Sequence, residues 1–246
     1  MGDEDAGARG RLGDLDAAAD RTGDLDAAVA DPSRDLDAAV ADPAGDLDAE
    51  VADPSRALDA AVAALRAGGV VLLPTDTVYG LAVATEVPDA IARLFELKGR
   101  HRDIPIAVLV ADAEQAWRLS AVPLPESAGR LAARWWPGAL TLVVPRRAGW
   151  DVDLGGDPAT VGVRCPDHDL VRAVCREVGP LATTSANRHG QATPPTAAEA
   201  LDQVGPVDLV IDGGRLAGAA STVVDCTVEP VRVVREGVIP AAEIAA

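Results

Sequence analysis

The sequence predicts an α/β protein built on an open, twisted, mixed sheet with helices packed on it. Two observations carry that prediction. From residue 57 onward, short runs rich in Val, Leu and Ile alternate with amphipathic stretches of helical period, the pattern of a layered α/β fold. No long linker interrupts them, and 48% hydrophobic residues over 246 positions are enough for a sizeable core.

The elements follow in order. A helix is expected over Leu58–Arg66, stopped by Gly68-Gly69. The apolar run Val70–Leu73 predicts a first strand, and Val78–Val83 a second. Pro88–Leu97 predicts a helix, Ile104–Val110 a strand, and Glu114–Leu119 and Glu126–Trp135 two more helices. Strands are then expected at Leu140–Val144 and Val161–Arg164, with a helix at Leu170–Val178. Leu181–Asn187 passes from apolar residues into four hydrogen-bonding side chains and carries no strand assignment. A helix at Ala197–Val204, strands at Leu209–Ile211, Thr222–Val224 and Val231–Val234, and a short helix at Ala241–Ile244 complete the domain, residues 57–246.

Residues 1–56 are of another kind. Leu-Asp-Ala-Ala or a near copy starts at Leu15, Leu25, Leu36, Leu47 and Leu58, and Pro32, Pro43 and Pro54 punctuate the repeat. Helices between those prolines would span fewer than ten residues, too short to persist without packing. A disordered, solvated tail is expected, with an acidic interaction arm as the other reading. The segment holds 16 acidic and 5 basic side chains, so most of the net charge of -17 belongs to it and residues 57–246 carry only -6. The whole-chain charge therefore does not exclude a basic cleft.

Several classes are set aside. The apolar runs fall far short of the roughly 20 residues a membrane span requires, and the acidic start does not read as a signal peptide. Cys165, Cys175 and Cys226 show neither disulfide nor zinc spacing. A cytoplasmic protein is expected. There is no GxSxG elbow, and any ATP site would lack a Walker loop.

Four segments carry side chains suited to a ligand. Pro74–Gly80 places two hydroxyls and a carboxylate where the first strand ends, as a ligand site or as an ordinary polar turn. Lys98, the only lysine against 21 arginines, continues the apolar stripe Ile91, Leu94 and Phe95. It should point inward, as a compact buried ammonium or as a snorkelling residue at a helix end. Arg100 would complete a cationic pair suited to phosphate oxygens. Thr160 and Arg164, four apart on a strand, share a face, so the guanidinium could grip a carboxylate or lie on the surface. Thr183, Thr184, Ser185 and Asn187 suit a nucleotide or amino-acid pocket, or a cap or Asx-turn; Thr193 and Ser221-Thr222 share that ambiguity.

Together these segments resemble the YrdC family of threonylcarbamoyl-AMP synthases, whose hallmarks are PTxTxYGL, KxR and SxN. Here they stand as Pro74–Leu81, Lys98-Gly99-Arg100 and Ser185-Ala186-Asn187. Further matches are Trp136-Pro137-Gly138, Arg164–His168 and Ser221–Asp225, and the similarity covers about residues 57–240. The resemblance implies a YrdC-like open sheet with a positively charged cleft holding L-threonine beside ATP. Thr77, Arg164 and Thr183 would contact threonine; Arg100, Thr160, Ser185, Asn187, Thr193 and Arg235 would line the nucleotide site. Lys98 and Arg100, with a magnesium ion brought by ATP, would neutralise charge while the carbamate formed from threonine and bicarbonate attacks ATP. The threonylcarbamoyl-transfer machinery and tRNA would be the downstream partners.

The chain departs from the family at Ile104 and Leu109, where many relatives carry Asn and His. Longer relatives append a second domain, so a lid would have to come from elsewhere, the N-terminal segment being one source. An RNA-binding module of the same fold, engaging double-stranded RNA without catalysis, is the alternative. It lacks its expected signature, because Arg146-Arg147 is the sole basic pair noted in the folded region and Tyr and Phe occur once each.

Overall fold

The computed structural model describes residues 54–188, 190–216 and 218–245. Residues 1–53, and with them all but the last copy of the acidic repeat and most of the segment expected to be disordered, lie outside the described residues. That last copy is helical. Helix α1 (Pro54–Arg66) starts three residues before the expected domain boundary and buries Ala57, Ala61 and Leu65, one turn apart. Full burial of Leu65 alone contributes about 1.5–3 kcal/mol. The helix stops where Gly68, at φ +82°, takes the left-handed conformation and Gly69 N–H reaches back to Ala64 O at 2.9 Å.

Nine strands follow among the described residues: β1 (Val71–Leu73), β2 (Gly80–Ala84), β3 (Ala107–Leu109), β4 (Leu140–Pro145), β5 (Thr160–Arg164), β6 (Leu181–Ser185), β7 (Leu209–Val210), β8 (Thr222–Asp225) and β9 (Arg232–Arg235). They form one sheet in the order β7-β1-β2-β6-β3-β5-β4-β8-β9. The pairs β1/β7, β3/β5 and β4/β8 are parallel and the others antiparallel, so the sheet is mixed, as expected. Between the strands run α2 (Ala90–Lys98), α3 (Ala113–Trp117), α4 (Glu126–Trp135), α5 (Asp169–Val178) and α6 (Ala197–Val204), and α7 (Ala241–Ile244) follows β9.

The strands' two-residue period sorts their side chains onto two faces. Leu81, Val83, Val108, Ala182, Val161, Val163, Leu140, Leu142 and Val144 join the core that includes residues of α2, α4 and α6. On the opposite face Val71, Leu73, Ala82, Ala84, Leu109 and Leu181 pack with Ala61 and Leu65 of α1 and with Val171, Val174 and Cys175 of α5. Register carries that second face across the sheet, through Ala82 opposite Thr183, Leu109 opposite Arg164 and Gly162 opposite Val143. Past the cover of α1 and α5 it becomes polar, and there it walls a cavity.

The main difference from the expected elements is β6, a central strand where the sequence suggested a cap or turn. A Thr-Thr-Ser run is unusual inside a sheet whose faces are both apolar. It is accommodated here because Thr183 and Ser185 face the cavity instead of the core.

Candidate functional site

The loop from β1 to β2 folds around one buried hydroxyl. Thr75 Oγ1 accepts the N–H groups of Thr77 and Val78, each at 3.1 Å, and donates to Val78 O at 2.7 Å; its neighbour Thr77 Oγ1 lies 2.9 Å away. Tyr79, fully buried, ties this loop to another: its hydroxyl lies 2.8 Å from Asp212 Oδ1 and accepts Gly213 N–H at 2.9 Å. Burial, reinforced by Asp212, raises the phenol further above its ordinary range, so it serves as a neutral strut.

Arg164, at the end of β5, is nearly inaccessible. Its Nη2 donates to Asp76 Oδ1 at 2.6 Å, Nη1 to Thr77 Oγ1 at 2.8 Å and Nε to Gly138 O at 3.0 Å. A guanidinium has five N–H groups, so two remain for a ligand. Burial pushes its proton affinity down and Asp76 pulls it back.

The KxR segment divides its labour. Lys98 completes the buried face of α2, and the chain leaves the helix at Gly99 with φ +59°. The Lys98 ammonium donates to Ser185 O, to Asn187 O and, at 2.8 Å, to Asn187 Oδ1. Burial, then Arg100, push it down to about 8. Ser185 Oγ donates to the same Asn187 Oδ1 at 2.6 Å, and Asn187 Nδ2 donates to Gln191 O at 2.7 Å. Arg100 faces the other way, with Nε on Ile104 O at 3.0 Å, Nη2 on Pro105 O at 2.8 Å and Nη1 on Thr184 Oγ1 at 3.3 Å.

Arg235 on β9 reaches Ser221 O through Nη2 at 2.8 Å, and Ser221 Oγ lies 2.9 Å from Thr141 Oγ1. Burial and Arg235 both lower the proton affinity of Arg100; burial and Arg164 do the same to Arg235. Arg235 thus lies within electrostatic reach of both Arg100 and Arg164.

Between them lies a cavity of about 530 Å³ whose wall includes Arg100, Arg146, Arg164 and Arg235 and no Asp or Glu. Of the residues singled out from sequence, Arg100, Thr160, Arg164, Thr183, Ser185, Asn187, Thr193 and Arg235 line it, as do Ile104 and Leu109. Thr77 and Lys98 are not on the wall; each holds a residue that is. Thr141 and Arg146 line it without having been foreseen, and Ser221 without an assigned role. Thr141 was findable as the single polar position in the run Leu140–Val144, whereas Arg146 lies beyond the alternating stretch and gave no periodic signal.

Such a wall suits anions. Backbone carbonyls fix the guanidinium groups, hydroxyls lie between them, and no carboxylate on the wall repels a phosphate. Among the described residues no three His, Cys, Asp or Glu side chains gather as a metal-binding group, and no helix is long and apolar enough to cross a membrane.

The family model of Sua5/YciO/YrdC, described as telomere recombination, matches residues 63–237. A Mycobacterium tuberculosis protein, provisionally named a threonylcarbamoyl-AMP synthase, is 40% identical over 184 residues, covering 74% of this chain and 84% of that one. The threonylcarbamoyl-AMP synthase of Pyrococcus abyssi is 39% identical over 183 residues, covering 73% of this chain and 54% of that enzyme. The crystal structure of Pyrococcus abyssi Sua5 complexed with L-threonine superposes with a TM-score of 0.70 at 35% identity, over 78% of this chain and 57% of that one. With 175 consecutive residues under the family model, the same mixed sheet and a cationic cavity where the three hallmark segments meet, the chain belongs to the Sua5/YciO/YrdC family.

Proposed function

We propose that this chain makes threonylcarbamoyl-AMP from L-threonine, bicarbonate and ATP, supplying the activated intermediate for threonylcarbamoyladenosine formation in tRNA. The observation that carries the reading is the cavity wall of four arginines without a carboxylate. The names of the relatives support a nucleotidyltransferase over an RNA-binding module.

In the first step the threonine ammonium and bicarbonate give the carbamate, water and a proton. In the second, a carbamate oxygen attacks the α-phosphorus of ATP as the bond to the β-phosphate oxygen breaks, and pyrophosphate leaves. No protein nucleophile is required. The protein's work is to bring two anions together, and alignment of this kind can supply roughly 7–11 kcal/mol. Arg164, with two uncommitted N–H groups beside Thr77, is placed to take the threonine carboxylate. Arg100 and Arg235 take the phosphates, and the hydroxyls of Ser185 and Thr193 add donors along the same wall. Their carbonyl partners orient the cations before substrate arrives, so little reorganisation accompanies charge development.

Magnesium would enter on ATP, since the wall offers hydroxyls and no carboxylate. An ion that keeps waters and takes its remaining ligands from phosphates fits such a wall. A cytoplasmic location, with tRNA and the threonylcarbamoyl-transfer machinery downstream, belongs to the same reading. Pyrophosphate release that requires ATP, threonine and bicarbonate together is the test; release without threonine, or none at all with all three present, would contradict the reading.

A further inference from the structure

Arg100 is held by the loop that follows it. Its Nε and Nη2 donate to Ile104 O at 3.0 Å and Pro105 O at 2.8 Å, so the guanidinium is only as well placed as those two carbonyls. Within the turn, Ile104 N–H reaches back to His101 O at 3.1 Å.

A second segment, Val152–Gly156 between β4 and β5, grips this loop on both sides of the two carbonyls. Gly156 N–H donates to Arg102 O at 2.7 Å, and Ile106 N–H to Leu154 O at 2.8 Å. The approach leaves no room for side chains. At Gly155, with φ +73°, a Cβ would lie 2.4 Å from Arg102 O, and at Gly156, with φ +63°, one would lie 3.0 Å from the Pro105 ring.

Arg102 closes the same junction with its side chain. Its Nη1 donates to Asp153 Oδ2, while Asp153 Oδ1 accepts Gly155 N–H at 3.0 Å. Arg102 Cζ also lies 4.6 Å from the ring centroid of Phe95 on α2. One exposed guanidinium thus ties together the helix that ends in the KxR segment, the loop after it and the loop opposite. Arg102 is not on the cavity wall, which Arg100, Ile104, Pro105 and Gly155 line.

We propose that Arg102 and Asp153 are positioning residues, an ion pair that latches the two loops and so aims Arg100 at a bound phosphate. The phosphate part rests on the synthase reading above; the latch does not. An exposed pair shifts an equilibrium by at most about fivefold, and a guanidinium over an exposed ring face adds roughly two- to fivefold. Those figures set the size of the expected effects.

Asp153→Asn keeps the acceptor for Gly155 N–H and drops the charge. Arg102→Met keeps an apolar stem over Phe95 and drops the pair. Amide hydrogen exchange on the full chain should be about three- to fivefold faster at Ile106 and Gly156 in both variants, with Val108 and Val163 inside the sheet unchanged. By calorimetry, ATP should bind about three- to fivefold more weakly to Asp153→Asn and about tenfold more weakly to Arg102→Met, with threonine binding unaltered. In an Arg100→Met background both losses should shrink below about twofold, because a latch acting through Arg100 has nothing left to place. Arg102→Lys, which keeps the charge pair, should recover most of the loss. ATP losses that stay at full size without Arg100 would mark a merely structural effect and overturn the proposal, and so would wild-type exchange at Ile106 and Gly156 in both variants. A wild-type chain that bound no ATP would overturn the synthase reading and the role of Arg100 with it, leaving the exchange rates to decide the latch alone.

Discussion

Replacing Lys98 by Met tests whether the only lysine works as a strut or as a cation facing the substrate. The ammonium serves three oxygens, and two of them have a second donor: Ser185 O takes Asn187 N–H at 3.0 Å, and Asn187 Oδ1 takes Ser185 Oγ–H at 2.6 Å. Only Asn187 O is orphaned, at a cost of about 1–3 kcal/mol, and losing hydrogen bonds to a charged donor adds to it. Relief of the ammonium's burial penalty offsets part of that addition, so a net loss of about 2–3 kcal/mol is expected. At 2–4 °C per kcal/mol for a domain of this size, the melting midpoint should fall by roughly 4–12 °C. The segment Ser185–Asn187 would lose its anchor, and kcat/KM for ATP should fall at least tenfold. Calorimetric melting and continuous pyrophosphate release measure the two effects. If turnover vanished while the midpoint stayed at the wild-type value, the ammonium would be acting on substrate and the strut argument would be wrong.

Raising the pH through about 8 should separate activity from stability in the wild type. The ammonium loses a donor there, so activity falls on the alkaline side. A lysine held below its ordinary value binds its proton more weakly folded than unfolded, so stability rises between about 8 and the unfolded value near 10.4. Melting and rate profiles that move together would count against this, and Lys98→Met should lack the alkaline limb. Arg235→Met removes a partly buried side chain on an edge strand that holds Ser221 O; we expect its ATP KM to rise about tenfold or more with a stability loss of only about 1 kcal/mol. Arg164→Met leaves Asp76 unpaired and should cost about 3–5 kcal/mol. Adding Asp76→Asn should recover part of the stability and none of the activity, as paired melts and assays would reveal. At Gly162 a Cβ meets only ordinary contacts, at 3.6 Å from Thr141 and 3.9 Å from Ala107. Gly162→Leu should therefore fold normally and abolish ATP or threonine binding by occupying the cavity, an outcome titration calorimetry detects directly.

The sheet and helices were legible wherever periodicity had a covering layer to answer to. Leu140–Val144, Val161–Arg164 and Glu126–Trp135 alternate or repeat because one side of each meets the core. β6 was not legible, because Thr183 and Ser185 occupy a face left open as a cavity, and a local pattern cannot show what lies across a sheet. The site was legible as a set of segments, but not in its layers. The apolar stripe of α2 points Lys98 inward, but nothing in the sequence shows that its ammonium ends on Ser185 and Asn187, behind the wall that Arg100 lines. Nor could spacing show that Arg164 would already hold Asp76, Thr77 and Gly138, contacts made across 88, 87 and 26 residues of chain. Arg146, visible in the sequence only as half of a basic pair, carried no site role for a related reason: its partners Val152 and Thr160 orient it, and its position along the chain does not.

The division of cation types follows from what each one touches. Arg100, Arg164 and Arg235 each spend part of a planar fork on a carbonyl or hydroxyl oxygen and hold the remaining N–H groups toward the cavity, so one side chain is both anchored and available. Lys98 has no donor to spare. Its three acceptors converge on a single nitrogen from one short segment, and a tetrahedral ammonium satisfies them where a planar fork would leave some unmet. An arginine at 98 would have to push the Ser185–Asn187 backbone outward, into the cavity that segment lines. One lysine among 21 arginines is thus the outcome of geometry at a single buried corner, and Lys98→Arg should fail much as Lys98→Met does, despite keeping the charge.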